Sequence, residues 1–265
     1  MHGLRVMPFA LSAKSNLRSL VHDPEEKMRC SMNEKKLKCA AVNFKSVLGD
    51  TEKNLEKIKE ICAKASKENV KIICFPEFAL CGQDADQLGL KLFEVSDTIP
   101  GRMTKLLSEI AKSCGLYLIV GMSQKSQVPG RLFDTQVVFG PTGEIKTTYQ
   151  KIHIEQRELL YWKGSIGKEI KYFDVTSVLT GILMESDMKC LKTAERMKQQ
   201  KVKLILVSGY GGDENRKKEV LNFAKKSGVK LLLANPKESF LVDTDGVIQA
   251  FVSGEDEILV TEIGM

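Results

Sequence analysis

The chain has 265 residues, 43% hydrophobic and 28% charged, the mix of a globular protein large enough to bury a core without disulfide or metal support. Its 40 basic and 34 acidic residues are interleaved, and five Tyr and one Trp offer few stacking platforms, which argues against nucleic-acid binding. No apolar run reaches the roughly 20 residues that a membrane span needs, and the seven cysteines lack CxxC spacing, which fits a reducing, cytoplasmic setting with neither a metal nor another cofactor.

Residues 1–36 read as a disordered N-terminal tail. The first 22 residues carry three basic and no acidic side chains, so an organelle-targeting segment is the other reading of that stretch. Residues 37–265 read as one domain. Leu37 to Val42 is a short apolar strand, and Asp50 caps a helix that keeps Leu55, Ile58, Ile61, Cys62 and Ala65 on one face. Lys71 to Phe75 is a second strand. Pro100-Gly101 opens a helix that Gly115 stops, and Leu116 to Val120 is strand again. Thr135–Phe139 and Glu144–Tyr149 flank Gly140-Pro141-Thr142-Gly143, which is hairpin chemistry. Val178 to Met184 is a buried strand, followed by a charged helix from about Asp187 to Gln200. Strands at Val202–Val207 and Val229–Ala234 enclose a Lys-rich helix, and the chain closes on a meander of Ser239–Val242, Val247–Val252 and Ile258–Ile263. Parallel βαβ units together with hairpins imply a mixed sheet or two sheets in an α/β fold.

Two segments carry chemistry. Lys71-Ile72-Ile73-Cys74-Phe75-Pro76-Glu77 is an apolar strand with a carboxylate at its end, and Tyr149-Gln150-Lys151-Ile152-His153 places an amine after a hairpin strand. Together they resemble the glutamate and lysine signatures of the nitrilase superfamily of carbon–nitrogen hydrolases. The likeness runs from about Leu37 to Ile263, through Leu204-Ile205-Leu206-Val207-Ser208 and Leu232-Leu233-Ala234-Asn235. It implies a four-layer αββα sandwich that associates into homodimers or larger homo-oligomers. It also implies acyl transfer through a cysteine thioester, with Glu77 as general base, Lys151 stabilising the developing negative charge, and Glu158 as a supporting carboxylate. His153 reads as a packed structural residue.

The third signature departs from the family. Gly181-Ile182-Leu183-Met184-Glu185-Ser186-Asp187 keeps the glycine and the aspartate, but Glu185 stands where the resemblance implies the nucleophilic thiol. The Lys189-Cys190-Leu191-Lys192 stretch that follows also differs from the family pattern. A carboxylate is a far weaker nucleophile than a thiolate toward an amide. Three functional readings follow. One is a binding or partner subunit without thiol-dependent hydrolysis, its pocket plugged by a Glu185–Lys151 ion pair and open at most to a small amide or carboxylate ligand. Another is an active hydrolase of small amides or carbamoyl compounds, with Cys81 or Cys190 as a displaced nucleophile or water activated by Glu77. The last is a purely structural dimer or filament unit, since the resembled family self-associates. A metal held by Glu77, Glu185 and His153 has the composition but not the spacing.

Overall fold

The computed structural model describes residues 36–264. The tail expected over residues 1–36 therefore lies outside the described residues, except Lys36, which opens the first strand.

Among the described residues, twelve strands form two six-stranded sheets. In the first, β1 (Lys36–Val42), β2 (Ile72–Cys74) and β3 (Tyr117–Lys125) run parallel, and β4 (Leu132–Phe139) and β5 (Ile145–Gln150) extend them as antiparallel hairpins. In the second, β7 (Val178–Met184), β8 (Leu204–Ser208) and β9 (Lys230–Ala234) are the parallel centre. They are flanked by β6 (Lys171–Val175) on one side and by β10 (Ser239–Val242) and β11 (Ile248–Val252) on the other. The expected closing meander is interrupted. After β11, the last strand β12 (Ile258–Gly264) crosses to the first sheet and pairs antiparallel with β1 along its whole length, from Lys36↔Gly264 to Val42↔Ile258.

Side-chain alternation on β1 explains the layers. Leu37, Cys39 and Ala41 point into the core between the sheets, while Ala40 and Val42 point the other way, to the helices. That outer face is covered by α1 (Thr51–Lys67) and α4 (Arg102–Cys114). Asp50 accepts from the Lys53 amide to start α1, and Gly115, at φ +62°, ends α4 in the left-handed conformation that glycine adopts without penalty. The second sheet is covered by α5 (Leu191–Gln199) and α6 (Glu214–Ser227), whose Ala194, Met197, Val220 and Phe223 are buried against it. The order is helices, sheet, sheet, helices: the αββα sandwich that the resemblance implies.

The structure adds two short helices, α2 (Ala85–Leu88) and α3 (Lys91–Val95), and a 3-10 turn at Glu158–Leu160. It also corrects the helix expected from Asp187. Glu185–Lys189 is a 3-10 turn, and Cys190, at φ −86° and ψ +104°, breaks the chain direction before α5 begins. Residues 185–188 are all buried, so packing at the strand end decides their path, and the charged pattern belongs only to the exposed face beyond.

Gly121 on β3 sets the geometry on which the site is built. A side chain there would meet the Pro76 carbonyl oxygen at 2.5 Å and the Phe78 amide at 2.6 Å, so the segment carrying Glu77 can lie flat on β3 only because residue 121 has no Cβ. We expect Gly121→Ala to destabilise the protein by about 1–3 kcal/mol, the usual range for an overpacked core, measured by urea unfolding. Unchanged stability would mean that the Pro76–Phe78 segment is free to move away.

Candidate active site

Glu77 follows β2 and is held from both sheets. Its own amide donates to the Gly209 carbonyl beyond β8 at 3.2 Å, and the Ser208 hydroxyl donates to the Phe75 carbonyl at 3.0 Å. The chain then turns sharply at Phe78, whose φ of +52° lies in the left-handed region that a bulky residue avoids. Such a conformation costs on the order of 1–3 kcal/mol and persists where the surroundings over-determine it. Here the Phe78 ring packs against Trp162, with centroids 4.5 Å apart, and meets Tyr210 edge-on.

Lys151 follows β5, its amide donating to the Asp134 carbonyl on β4 at 2.9 Å. The side chain is almost fully buried. Its Nζ lies 2.8 Å from Glu77 Oε2, 2.7 Å from Glu158 Oε1 and 3.5 Å from Asp134 Oδ2. The structure thus brings three of the expected residues, Glu77, Lys151 and Glu158, into direct contact. Glu158 is fixed by its place in the 3-10 turn, where its other oxygen accepts from the Glu155 amide at 2.8 Å.

Asp134 is the fourth member, and the motifs did not point to it. One signal was available: a lone carboxylate inside the otherwise apolar and polar-neutral run Leu132–Phe139, every residue of which is buried. Neither carboxyl oxygen of Asp134 receives a hydrogen bond. Burial first, and then the neighbouring Glu77 charge, push its pKa well above the usual carboxylate range. When Asp134 holds a proton, Glu77 is the acceptor within its reach. Burial also raises Glu77, opposed chiefly by the Lys151 charge, while the surrounding carboxylates hold Lys151 in its ammonium form. Oxygens of Glu77, Asp134 and Glu158 lie within 4.8 Å of one another, close enough to hold a metal ion, but the Lys151 ammonium is the cation seated among them.

Glu185 begins the 3-10 turn after β7, where it lines a cavity together with Glu77, Lys151 and Glu158. The expected Glu185–Lys151 ion pair does not form. No basic nitrogen of the described residues lies within 4 Å of the Glu185 carboxylate, because Glu77, Asp134 and Glu158 already surround the lysine. The Glu185 side chain turns instead toward the Gly209–Gly212 loop, where Oε2 accepts from the Tyr210 amide at 3.4 Å. With no counter-ion, burial and then Glu77 push its pKa up to about 8. The cavity that Glu185 shares with Glu77 and Lys151 measures about 20 Å³, space for roughly one water.

Asp187 and His153 serve the frame of the site. One Asp187 oxygen accepts from the Tyr149 hydroxyl at 2.6 Å and from the Ile152 amide at 3.2 Å. The other accepts from the His153 amide at 2.7 Å and lies 2.8 Å from His153 Nδ1. This one carboxylate therefore pins both sides of Lys151. The His153 ring is half-exposed rather than packed as expected, and its hydrogen bond with Asp187 raises its pKa. It does not join Glu77 and Glu185 around that cavity.

The displaced-thiol candidates are not in the cavity either. Cys81 is buried, donates to the Gly82 carbonyl at 3.5 Å, and is pushed by burial up to about 12. Cys74 is raised to about 12 in the same way, against Ser208. Cys190 lies at the break before α5, outside the set of residues that line the cavity.

Residues 38–265 match the family model for carbon–nitrogen hydrolases. Omega-amidase NIT2-B of Xenopus laevis is 30% identical over 168 residues, covering 59% of this chain and 57% of that protein. A nitrilase of Pyrococcus abyssi is 28% identical over 150 residues, covering 56% and 55%. The matched region spans less than two thirds of these curated relatives. Among solved structures, an amidase from Nesterenkonia sp. superimposes with a TM-score of 0.77 at 18% identity, over 86% of this chain and 90% of that one. Saccharomyces cerevisiae Nit3 gives 0.78 at 18% identity, over 87% and 90%. These likenesses establish the αββα fold.

Two measurements test the electrostatics. Lys151→Met leaves buried carboxylates without their cation and should cost about 3–5 kcal/mol near neutral pH. The deficit should shrink in acid as the carboxylates take up protons, followed by denaturant unfolding against pH. Glu185 is raised from 4.5 to about 8, so its contribution to stability is complete below about 4.5 and is lost as pH climbs toward 8. Glu185→Gln should match the native melting temperature near pH 4.5 and exceed it increasingly up to about pH 8. A constant difference would mean that Glu185 titrates as it does in the unfolded chain.

Proposed function

Since the chain belongs to the carbon–nitrogen hydrolase family, we propose that it is an amidase-related scaffold disarmed at its nucleophile, acting as a binding or partner subunit. One observation carries this reading. The residue at the end of β7 that lines one cavity with Glu77 and Lys151 is Glu185, and that cavity has space for about one water. A glutamate-to-glutamine mutant of the Nesterenkonia amidase shows covalent addition of the acetamide moiety of fluoroacetamide at its active-site cysteine. An equivalent adduct here would need a thiol at position 185 and room for an acyl group. A carboxyl with a pKa near 8 is mostly protonated at neutral pH, which makes it a still poorer nucleophile. Cys74 and Cys81, held as thiols by burial, do not supply the missing reactivity.

The competing reading is a hydrolase of small amides or carbamoyl compounds. It draws support from the intact Glu77–Lys151 contact at 2.8 Å and from relatives named omega-amidases. Under either reading the chain is expected to self-associate as a homodimer, which sedimentation would check.

Ammonia release from a panel of small amides, nitriles and carbamoyl compounds separates the two. Native protein should release none above background, Glu77→Ala should behave identically, and Glu185→Cys should gain slow turnover or a stoichiometric acyl adduct. Turnover by native protein that disappears in Glu77→Ala would overturn the disarmed reading.

A further inference from the structure

Glu185 also lines a second cavity. On the side away from Lys151, a cleft of about 430 Å³ opens between the Gly211–Gly212 loop, the start of α6, and β9 and β10, within the size range of small-molecule sites. Its wall includes Leu233 and Phe240, with Asn235 at the strand end. Glu185 is the charged group at its inner end, 7% exposed.

Most of the polar side chains of this cleft have partners; among the described residues Glu214 and Ser253 at its wall do not, and neither does the buried Glu185 beyond one backbone amide. Lys217 pairs with Glu238 at 2.7 Å, Arg216 pairs with Glu155, Lys237 Nζ donates to the Gly212 carbonyl at 3.3 Å, and Asp213 caps α6 by accepting from the Asn215 and Arg216 amides. Asn235 donates to the Gly211 carbonyl and accepts from the Lys237 amide. Glu185 has only the 3.4 Å contact of Oε2 with the Tyr210 amide, and Oε1 has no hydrogen-bond partner among the described residues. Gly209 keeps the space beside the carboxylate open, and Gly212 borders it at ordinary contact distance. A Cβ at Gly209 would lie 2.8 Å from Oε2, and one at Gly212 would lie 3.4 Å from Oε1.

We propose that this cleft binds a small primary ammonium compound, with the ammonium on Glu185 and its hydrocarbon part against Leu233 and Phe240. A buried carboxylate without a cation is costly, and an ammonium supplies both the charge and the donors that Glu185 lacks. A carboxylate ligand forms no charge pair with Glu185, whether that group is protonated or ionised. On binding at neutral pH the carboxyl proton leaves to solvent, and the charged pair replaces the neutral acid. The inference rests on the disarmed reading, because it treats Glu185 as a ligand-binding group rather than as a poor nucleophile.

The test uses the native full chain. Titration with n-butylammonium, followed by the amide resonances of Tyr210 and Gly212, should give saturable shifts at both. n-Butanol, of similar shape but neutral, should bind at least tenfold more weakly, and butyrate should leave both resonances unmoved. Glu185→Gln, checked for native melting, should lose at least tenfold in butylammonium affinity. Equal binding of butanol, unchanged affinity in Glu185→Gln, or no shift in the native protein would overturn the proposal. Missing shifts in a protein that also releases no ammonia would remove the ligand class and leave the disarmed scaffold standing. Ammonia release by native protein would remove the scaffold reading itself.

Discussion

Lys151 carries its ammonium into a place that solvent scarcely reaches, and the arrangement around it follows from that charge. A single buried cation demands counter-charge, and three carboxyl groups from β2, β4 and the 3-10 turn at Glu158 converge on it. Three carboxyl groups around one ammonium cannot all be compensated, and burial followed by the Glu77 charge raises the Asp134 pKa well above the usual carboxylate range. The elements that deliver these groups are otherwise unrelated in sequence. Mutual electrostatics ties the hairpin, the parallel strands and the loop before β6 into one unit at this end of the sandwich.

Glu185 stands just outside that balance. It is near enough for Glu77 to raise its pKa, yet Lys151 has no vacant direction left to meet it. The carboxylate therefore lies between a chamber of about 20 Å³ and a cleft of about 430 Å³, bonded weakly to one backbone amide. Its surroundings are shaped by backbone as well as by charge, since Gly209 approaches it more closely than a residue with a side chain could.

Much of this was legible in the chain. Parallel central strands announce themselves as unbroken apolar runs, and Asp50 and Gly115 mark helix ends through local backbone chemistry that needs no tertiary context. Glu77, Lys151 and Glu158 could be singled out because each sits in a patterned segment. What escaped was decided at long range. The departure of β12 to pair with β1 depends on a partner some 220 residues away in sequence. Asp134 lies in a strand with no motif around it. The Glu185–Lys151 pair was expected from proximity alone, and it fails because pairing depends on which carboxylates reach the lysine first. The helix expected from Asp187 gave way to a 3-10 turn because its first residues are buried whatever their polarity.

Asp187 receives the Tyr149 hydroxyl and the two amides that follow Lys151, and it lies only two positions beyond Glu185. The turn that presents residue 185 is thus also the brace of the lysine loop, and it would remain one whatever chemistry the site performs. Tolerance to replacement along this short stretch is accordingly uneven: position 185 can change its side chain while the architecture survives, whereas position 187 cannot change without releasing the buried charge it helps to seat. Resemblance around the lysine and the aspartate therefore records first how this end of the sandwich is braced.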